Sequence, residues 1–244
     1  MSEPLYLVKI TLDMPELFRF GNLRKLPQRT DDYGYLVHSA MREALGDDAP
    51  QPFALQPAEG RCLPVLGYAA HSREELRQTC AQRPDNPAAN VVPPDAINAK
   101  RMPGTWHPGD LCRFTTTVCP VERKGRNATD RKPGAEVDAY LNSLRNGEET
   151  EGSREQVYRR WFQQQVAKTD AAELASFSME GFRLADLVRR SRDRRARMMR
   201  RPQATFSGLL RITDGERFTA LLQRGIGRHR AFGFGMLLLK PANH

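Results

Sequence analysis

The chain has 244 residues and a formal net charge of +9, with 38 Lys and Arg against 29 Asp and Glu. That length holds one large domain or two small ones with proper cores, and the basic excess predicts attraction to polyanions. No apolar run approaches the ~18–20 residues of a membrane span, and the start "MSEPLYLVKITLDMPE" lacks a basic segment followed by an apolar one. A cytoplasmic protein without a membrane partner is expected.

"PLYLVKITLD" (4–13) reads as an apolar, β-branched strand, and "RFGNLRKLPQRT" (19–30), with Gly, Pro and basic residues, as a loop. "DDYGYLVHSAMREALGDD" (31–48) has Val37, Met41, Ala44 and Leu45 at helical spacing, with Thr30 or Asp31 able to cap it. Residues 51–70 give two short strands around a Glu-Gly turn. Residues 71–83 form a helix opened by a Ser-x-x-Glu capping box at Ser72 and Glu75. After the proline-rich stretch 84–108, "GDLCRFTTTVCPVERK" (109–124) is a strand, which completes a β-α-β-β-α-β order of the split ferredoxin-like type.

Residues 125–153 are polar and glycine-bearing, with at most a short helix, and mark a linker or insertion. A helix is expected over 154–168, facing Val157, Trp161 and Val166 to a core. Strands follow over 172–190 and 205–212, then a helix over 214–225 ending at a glycine, and a last strand over 234–240. The expected division is therefore 1–124, an N-terminal ferredoxin-like domain; 125–153, a linker; and 154–244, a second ferredoxin-like domain.

Four features carry candidate chemistry. In "GIGRHRAFGFGMLLLK" (225–240), Gly225, Gly227, Gly233 and Gly235 bracket Arg228, His229 and Arg230. The segment follows a helix and precedes a strand, the reverse of a dinucleotide fingerprint. It reads either as a helix cap with a tight turn or as a backbone nest for nucleic-acid phosphates. In "YGYLVHSAMRE" (33–43), Tyr35, His38 and Arg42 share an arc of about 60°, nearly opposite Val37, Ala40 and Met41, so His38 faces water or ligand. In "RRSRDRRARMMRR" (189–201), Arg189, Arg190, Arg192, Arg194, Arg195, Arg197, Arg200 and Arg201 form a run expected to bind RNA and to fold on contact; the planar guanidinium fork suits phosphate. The cysteines Cys62, Cys80, Cys112 and Cys119 lie at scattered spacings and are expected to be reduced. Glu74-Glu75 and Asp47-Asp48 look like helix-end charges. No paired carboxylates suggest a two-metal nuclease and no Walker loop suggests ATP, so no cofactor is expected.

"FSGLLRITDGERFTALLQRGIGRHRAFGFGMLLLKP" (206–241) resembles the C-terminal glycine-rich motif of the CRISPR-associated repeat endoribonucleases, most closely the CasE branch of type I-E systems. "CRFTTTVCPVERKG" (112–125), which contains Arg113, is similar to that family's arginine-bearing strand ending in a proline. The resemblance implies an α/β protein of two ferredoxin-like (RRM-like) domains in tandem, of the RAMP superfamily type. It also implies an enzyme that cuts CRISPR repeat RNA at the base of a hairpin and stays on the product as a subunit of an effector complex. Members of the branch place a catalytic His on the first helix, with a Tyr three residues earlier in some, and His38 and Tyr35 match that pair.

The implied reaction needs no metal. A ribose 2′-hydroxyl attacks the adjacent phosphorus and leaves a 2′,3′-cyclic phosphate and a 5′-hydroxyl. His38 is the expected acid–base group and Tyr35 the orienting one, with Arg24, Lys25 or Arg42 stabilising the phosphate charge. His229, His71 and His107 read as ligand contacts or surface residues. A non-catalytic guide-RNA hairpin-binding subunit of a type I or type IV complex is the other reading.

Overall fold

A computed structural model describes residues 4–28, 33–83, 85–125, 132–145, 152–190 and 196–241, with backbone alone at 189, 190, 196 and 197. The first unit runs β1 (Tyr6–Asp13), α1 (Met14–Leu23), α2 (Gly34–Leu45), β2 (Phe53–Leu55), β3 (Cys62–Ala69), α3 (Arg73–Ala81) and β4 (Ile97–Arg101). Its sheet has the order β2-β3-β1-β4 with every neighbour antiparallel, the ferredoxin-like order. The period of two in β1 turns Val8, Ile10 and Leu12 to one face, where they meet Leu17, Phe20, Leu36, Val37, Met41 and Leu76 from the three helices. The opposite face contributes Leu7, Leu66 and Tyr68 to the core of the second unit. There the buried Tyr68 hydroxyl donates to the Leu237 carbonyl at 2.8 Å, so the two units share packing as well as a chain.

The second unit begins with β5 (Leu111–Val118), then β6 (Val121–Arg123), β7 (Glu136–Asp138), α4 (Ala139–Arg145), α5 (Arg154–Ala167), β8 (Ala172–Arg190), β9 (Ala196–Ile212), α6 (Gly215–Arg224) and β10 (Leu238–Pro241). Its sheet order, β10-β5-β9-β8, repeats the order of the first. The α5 helix opens on a reciprocal Ser153/Gln156 capping box and buries Val157, Trp161 and Val166, the three residues expected to face a core. The Ser72/Glu75 box is likewise present at the start of α3.

Pairing corrects the expected place of the 109–124 strand. Its core, β5, pairs with β9 from Leu111↔Arg211 to Val118↔Ala204 and with β10 through Arg113↔Lys240, so it is the first strand of the second sheet. The fourth strand of the first sheet is β4, inside the stretch read as proline-rich connection. It is a mostly exposed edge strand, Ile97 being its one buried residue, and so shows no alternating apolar pattern. We therefore place the division between the units at 102–110 rather than in 125–153.

The expected loop 19–30 is also corrected, because α1 runs to Leu23. Asp13 caps it by accepting from the Glu16 amide at 3.0 Å, and burial of Leu17 and Phe20 outweighs the poor helix propensity of Gly21 and Asn22. The 125–153 stretch holds β7 and α4, with β7 paired to β6 from Val121↔Asp138 to Arg123↔Glu136. Its strand signal is only three residues long. Thr30 and Asp31, the expected caps of α2, lie outside the described residues. The last strand starts at Leu238, later than Phe234, because Phe234 to Leu237 are buried in irregular backbone.

Candidate functional site

The α2 helix meets the glycine segment through its first residue. A Cβ at Gly34 would come under 3.0 Å from the Phe232 carbonyl oxygen, carbonyl carbon and Cα, so only glycine permits this backbone-to-backbone seat. Two aromatic contacts then fix the side chains that follow. The Tyr35 ring stacks on Phe232, with centroids 5.7 Å apart and planes at 27°. The His38 ring lies parallel to Phe53, with centroids 6.4 Å apart and planes at 5°. Phe53 is fully buried and also borders Gly233. The sequence pair Tyr35 and His38 is thus held where the first unit touches the glycine segment.

Partial burial of His38 lowers its pKa below the ordinary imidazole value of 6.5, and the Arg42 cation pushes it the same way. At neutral pH the ring is therefore uncharged and able to accept a proton. Arg24 and Arg42, expected to meet the phosphate, are engaged with carboxylates. The Arg24 guanidinium is bidentate on Glu43, with Nε at 2.9 and 3.1 Å from its two oxygens, and Arg42 Nη2 is 2.6 Å from Asp47 Oδ1. His71 pairs with Asp48 at 3.2 Å and His107 with Asp110 at 3.6 Å.

All four glycines of the terminal segment have positive φ, as does His229 at 62°. Their expected use as a phosphate nest is corrected at three of them. The amides of Gly225, Gly233 and Gly235 already donate to the carbonyls of Leu221, Arg230 and Thr117. Gly235 instead allows a close crossing: the Ile226 amide donates to its carbonyl at 2.8 Å, and a Cβ there would overlap the Ile226 carbonyl oxygen. The glycines shape the segment, and the basic residues are what it presents.

Those residues converge on an acid that sequence reasoning missed. Glu136 Oε1 accepts from Arg228 Nε at 2.6 Å, Oε2 lies 2.8 Å from His229 Nε2, and Arg201 Nη2 on β9 is 3.2 Å from Oε2. The hydrogen bond to His229, reinforced by the Arg228 cation, outweighs desolvation and lowers the Glu136 pKa to about 2. Arg230 donates to the Arg224 carbonyl. The cluster opens into a cleft of about 620 Å³ lined by Gln51, Glu136, Met199, Arg201, Arg228 and Phe232, among others. Tyr35 adjoins this cleft through Phe232, which lines it, whereas His38 stands one helical turn further on, against Phe53, which borders Gly233 rather than the cleft. A single Glu in a polar stretch carries no spacing signal, so only the fold reveals it.

The arginine run is strand where it is described. Residues 196–201 belong to β9, and 189–190 end β8, with Arg189↔Arg197 and Asp186↔Arg200 in register. Arg200 is bidentate on Asp186 at 2.9 and 3.2 Å, while Arg201, one residue on, reaches the cleft. Arg192, Arg194 and Arg195 lie outside the described residues, and of Arg189, Arg190 and Arg197 only the backbone is described. Arg113 stands on the exposed face of β5, opposite Lys240, and Lys25 is exposed with a φ of 52°. The four cysteines are free, three of them buried and Cys62 exposed. Among the described residues no three His, Cys, Asp or Glu side chains converge as a metal site, and no helix is long and apolar enough to cross a membrane.

The family model for CRISPR associated proteins matches residues 5–241. The chain belongs to this family. No curated protein matches the sequence. Among solved structures, this CRISPR associated chain is similar to the endoribonuclease Cse3 bound to a 19-nucleotide RNA, at 19% identity and a TM-score of 0.63, over 98% of this chain and 100% of that one. It is similar to Cas6e from Escherichia coli K-12 at 17% identity and a TM-score of 0.58, over 97% and 99%. It is also similar to a chain of a CRISPR RNA-guided surveillance complex in a pre-nicking state, at 18% identity and a TM-score of 0.56, over 97% and 99%. These likenesses establish that the tandem ferredoxin-like fold is shared along the whole chain.

Proposed function

We propose that this CRISPR associated protein is a metal-independent endoribonuclease that binds the repeat hairpin of precursor CRISPR RNA and cuts at its 3′ base. The observation that carries the reading is the Gly34–Phe232 seat. It brings a half-buried, neutral histidine and a stacked tyrosine beside a cleft of net positive charge. The similar structures, an endoribonuclease with RNA and a surveillance complex, support the substrate and a later role as the subunit that keeps the processed hairpin.

His38 takes the proton from the 2′-hydroxyl, Tyr35 orients the nucleophile or the imidazole, and a nearby cation steadies the phosphorane charge. No metal-bound species enters this scheme. The imidazolium so formed returns that proton to the leaving 5′-oxygen, and the products carry a 2′,3′-cyclic phosphate and a 5′-hydroxyl. Arg24 and Arg42 are tied to Glu43 and Asp47, which favours a binding-only subunit as the second reading.

A base must be deprotonated to act, and His38 holds its proton less tightly than a free imidazole. The single-turnover cleavage rate is therefore flat through neutral pH and falls only on the acid side, with its apparent pKa below 6.5. A profile measured in stopped time courses checks this. A rate that instead falls as pH rises through 7 would assign His38 the acid role.

A further inference from the structure

A carboxylate in a cleft meant for a polyanion is unfavourable for binding, since it repels every phosphate that enters. Glu136 is nonetheless only 12% exposed, and it gathers basic side chains from two separate elements: Arg228 and His229 from the glycine segment, and Arg201 from β9. Its own strand is clamped by β6 through Arg123↔Glu136. The carboxylate therefore sits on an anchored element and grips side chains of the two basic segments that line the cleft.

We propose that Glu136 is a specificity-determining residue of the RNA cleft, which holds Arg228 in one orientation and withdraws part of the local positive charge from indiscriminate phosphate binding. An arginine has five N–H donors in a rigid fork. Glu136 engages Arg228 at Nε, and the side chain is 49% exposed, so its remaining donors are presented at a fixed angle. Arg201 is held through both terminal nitrogens, one facing Glu136 and the other donating to the Arg200 carbonyl at 3.2 Å, while its buried Nε has no hydrogen-bond partner among the described residues. Discrimination is a difference of affinities, and a carboxylate that costs all phosphates alike while pre-orienting a donor for one of them increases that difference.

This rests on the RNA-cleaving reading and deepens it. The test measures binding of two probes at one salt concentration, the repeat hairpin RNA from the CRISPR array of the same genome and a scrambled single strand of equal length. The proteins are wild type, Glu136→Gln, Arg228→Gln and the double variant. Glu136→Gln is expected to lose about tenfold or more of hairpin affinity, the size of one charge-assisted hydrogen bond, while binding the scrambled strand as tightly or more tightly. The losses from Glu136→Gln and Arg228→Gln overlap in the double variant instead of adding.

Pure electrostatics predicts the opposite sign. If Glu136→Gln tightens both probes alike, or if the two losses add in full, the inference is overturned. Should Glu136→Gln melt below the assay temperature, Arg228→Gln decides alone: a fall in hairpin affinity with the scrambled strand unaffected supports it, and an unchanged ratio overturns it. A wild type that binds both probes equally overturns the RNA reading together with the inference. A wild type that discriminates beside a Glu136→Gln variant that discriminates equally overturns the inference alone.

Discussion

His38→Ala is expected to lower cleavage of the repeat hairpin about 10²–10⁴-fold while leaving hairpin binding in place. The size follows from the loss of a positioned proton acceptor, and the retained binding follows from where the residue lies. His38 stacks on Phe53, one helical turn from Tyr35, and neither His38 nor Phe53 lines the basic cleft. Because the ring is only partly buried, its removal leaves a shallow gap beside Phe53 and little lost packing. A melting curve close to that of the wild type, beside a collapsed single-turnover rate, is the expected pair of results. Equal cutting by both proteins would move the chemistry to another group, and loss of binding with loss of cutting would make His38 a contact residue.

Gly34→Ala is expected to destabilise the fold and to slow cleavage together, against what helix propensity alone predicts. In the interior of an exposed helix the change would stabilise by about 1 kcal/mol, an upper bound for the first residue of α2. Here the added methyl would overlap the Phe232 backbone, and backbone cannot rotate out of the way as a side-chain tip can. Overpacking of this kind costs about 1–3 kcal/mol, so the clash outweighs the propensity gain. The strain is relieved by moving α2 off the glycine segment, which carries Tyr35 and His38 with it. A displacement near 1 Å costs on the order of 10²-fold in rate. Thermal melting and single-turnover cleavage read the two effects. A Gly34→Ala variant that melts higher than the wild type would show that the seat yields freely.

The elements that bury a periodic face were legible in the sequence, and those defined by an edge or a single contact were not. The α2 helix and the capped α3 and α5 helices announce themselves through spacing or caps, whereas β9 was legible only over 205–212, since its start at Ala196 lies within the arginine run. The β4 strand does not announce itself, because an edge strand with one buried residue has no alternation to read, and its absence pulled β5 into the wrong sheet. The histidine and tyrosine stood out by helical phase joined to a family likeness. Phase alone placed them on one face and could not say what that face meets. Gly34, between Tyr33 and Tyr35, passed unread, because its partner, Phe232, is nearly 200 residues away. Glu136 had no sign at all: its role exists only because β7 sets it beside the glycine segment and β9. The glycines, read as a helix cap with a turn or as a nest for phosphate, make room for backbone at Gly225 and Gly235 and for the Trp161 and Phe53 rings at Gly227 and Gly233.

A proton-transfer nuclease working on hairpin RNA is recognised by the ends it leaves. The wild-type protein is incubated in EDTA with end-labelled repeat RNA from the CRISPR array of the same genome, and the new termini are identified chemically. One cut at the 3′ base of the hairpin, leaving a 2′,3′-cyclic phosphate and a 5′-hydroxyl, is the predicted result. Tight binding with no cut, or a cut that requires added divalent metal and leaves a 3′-hydroxyl and a 5′-phosphate, would contradict it.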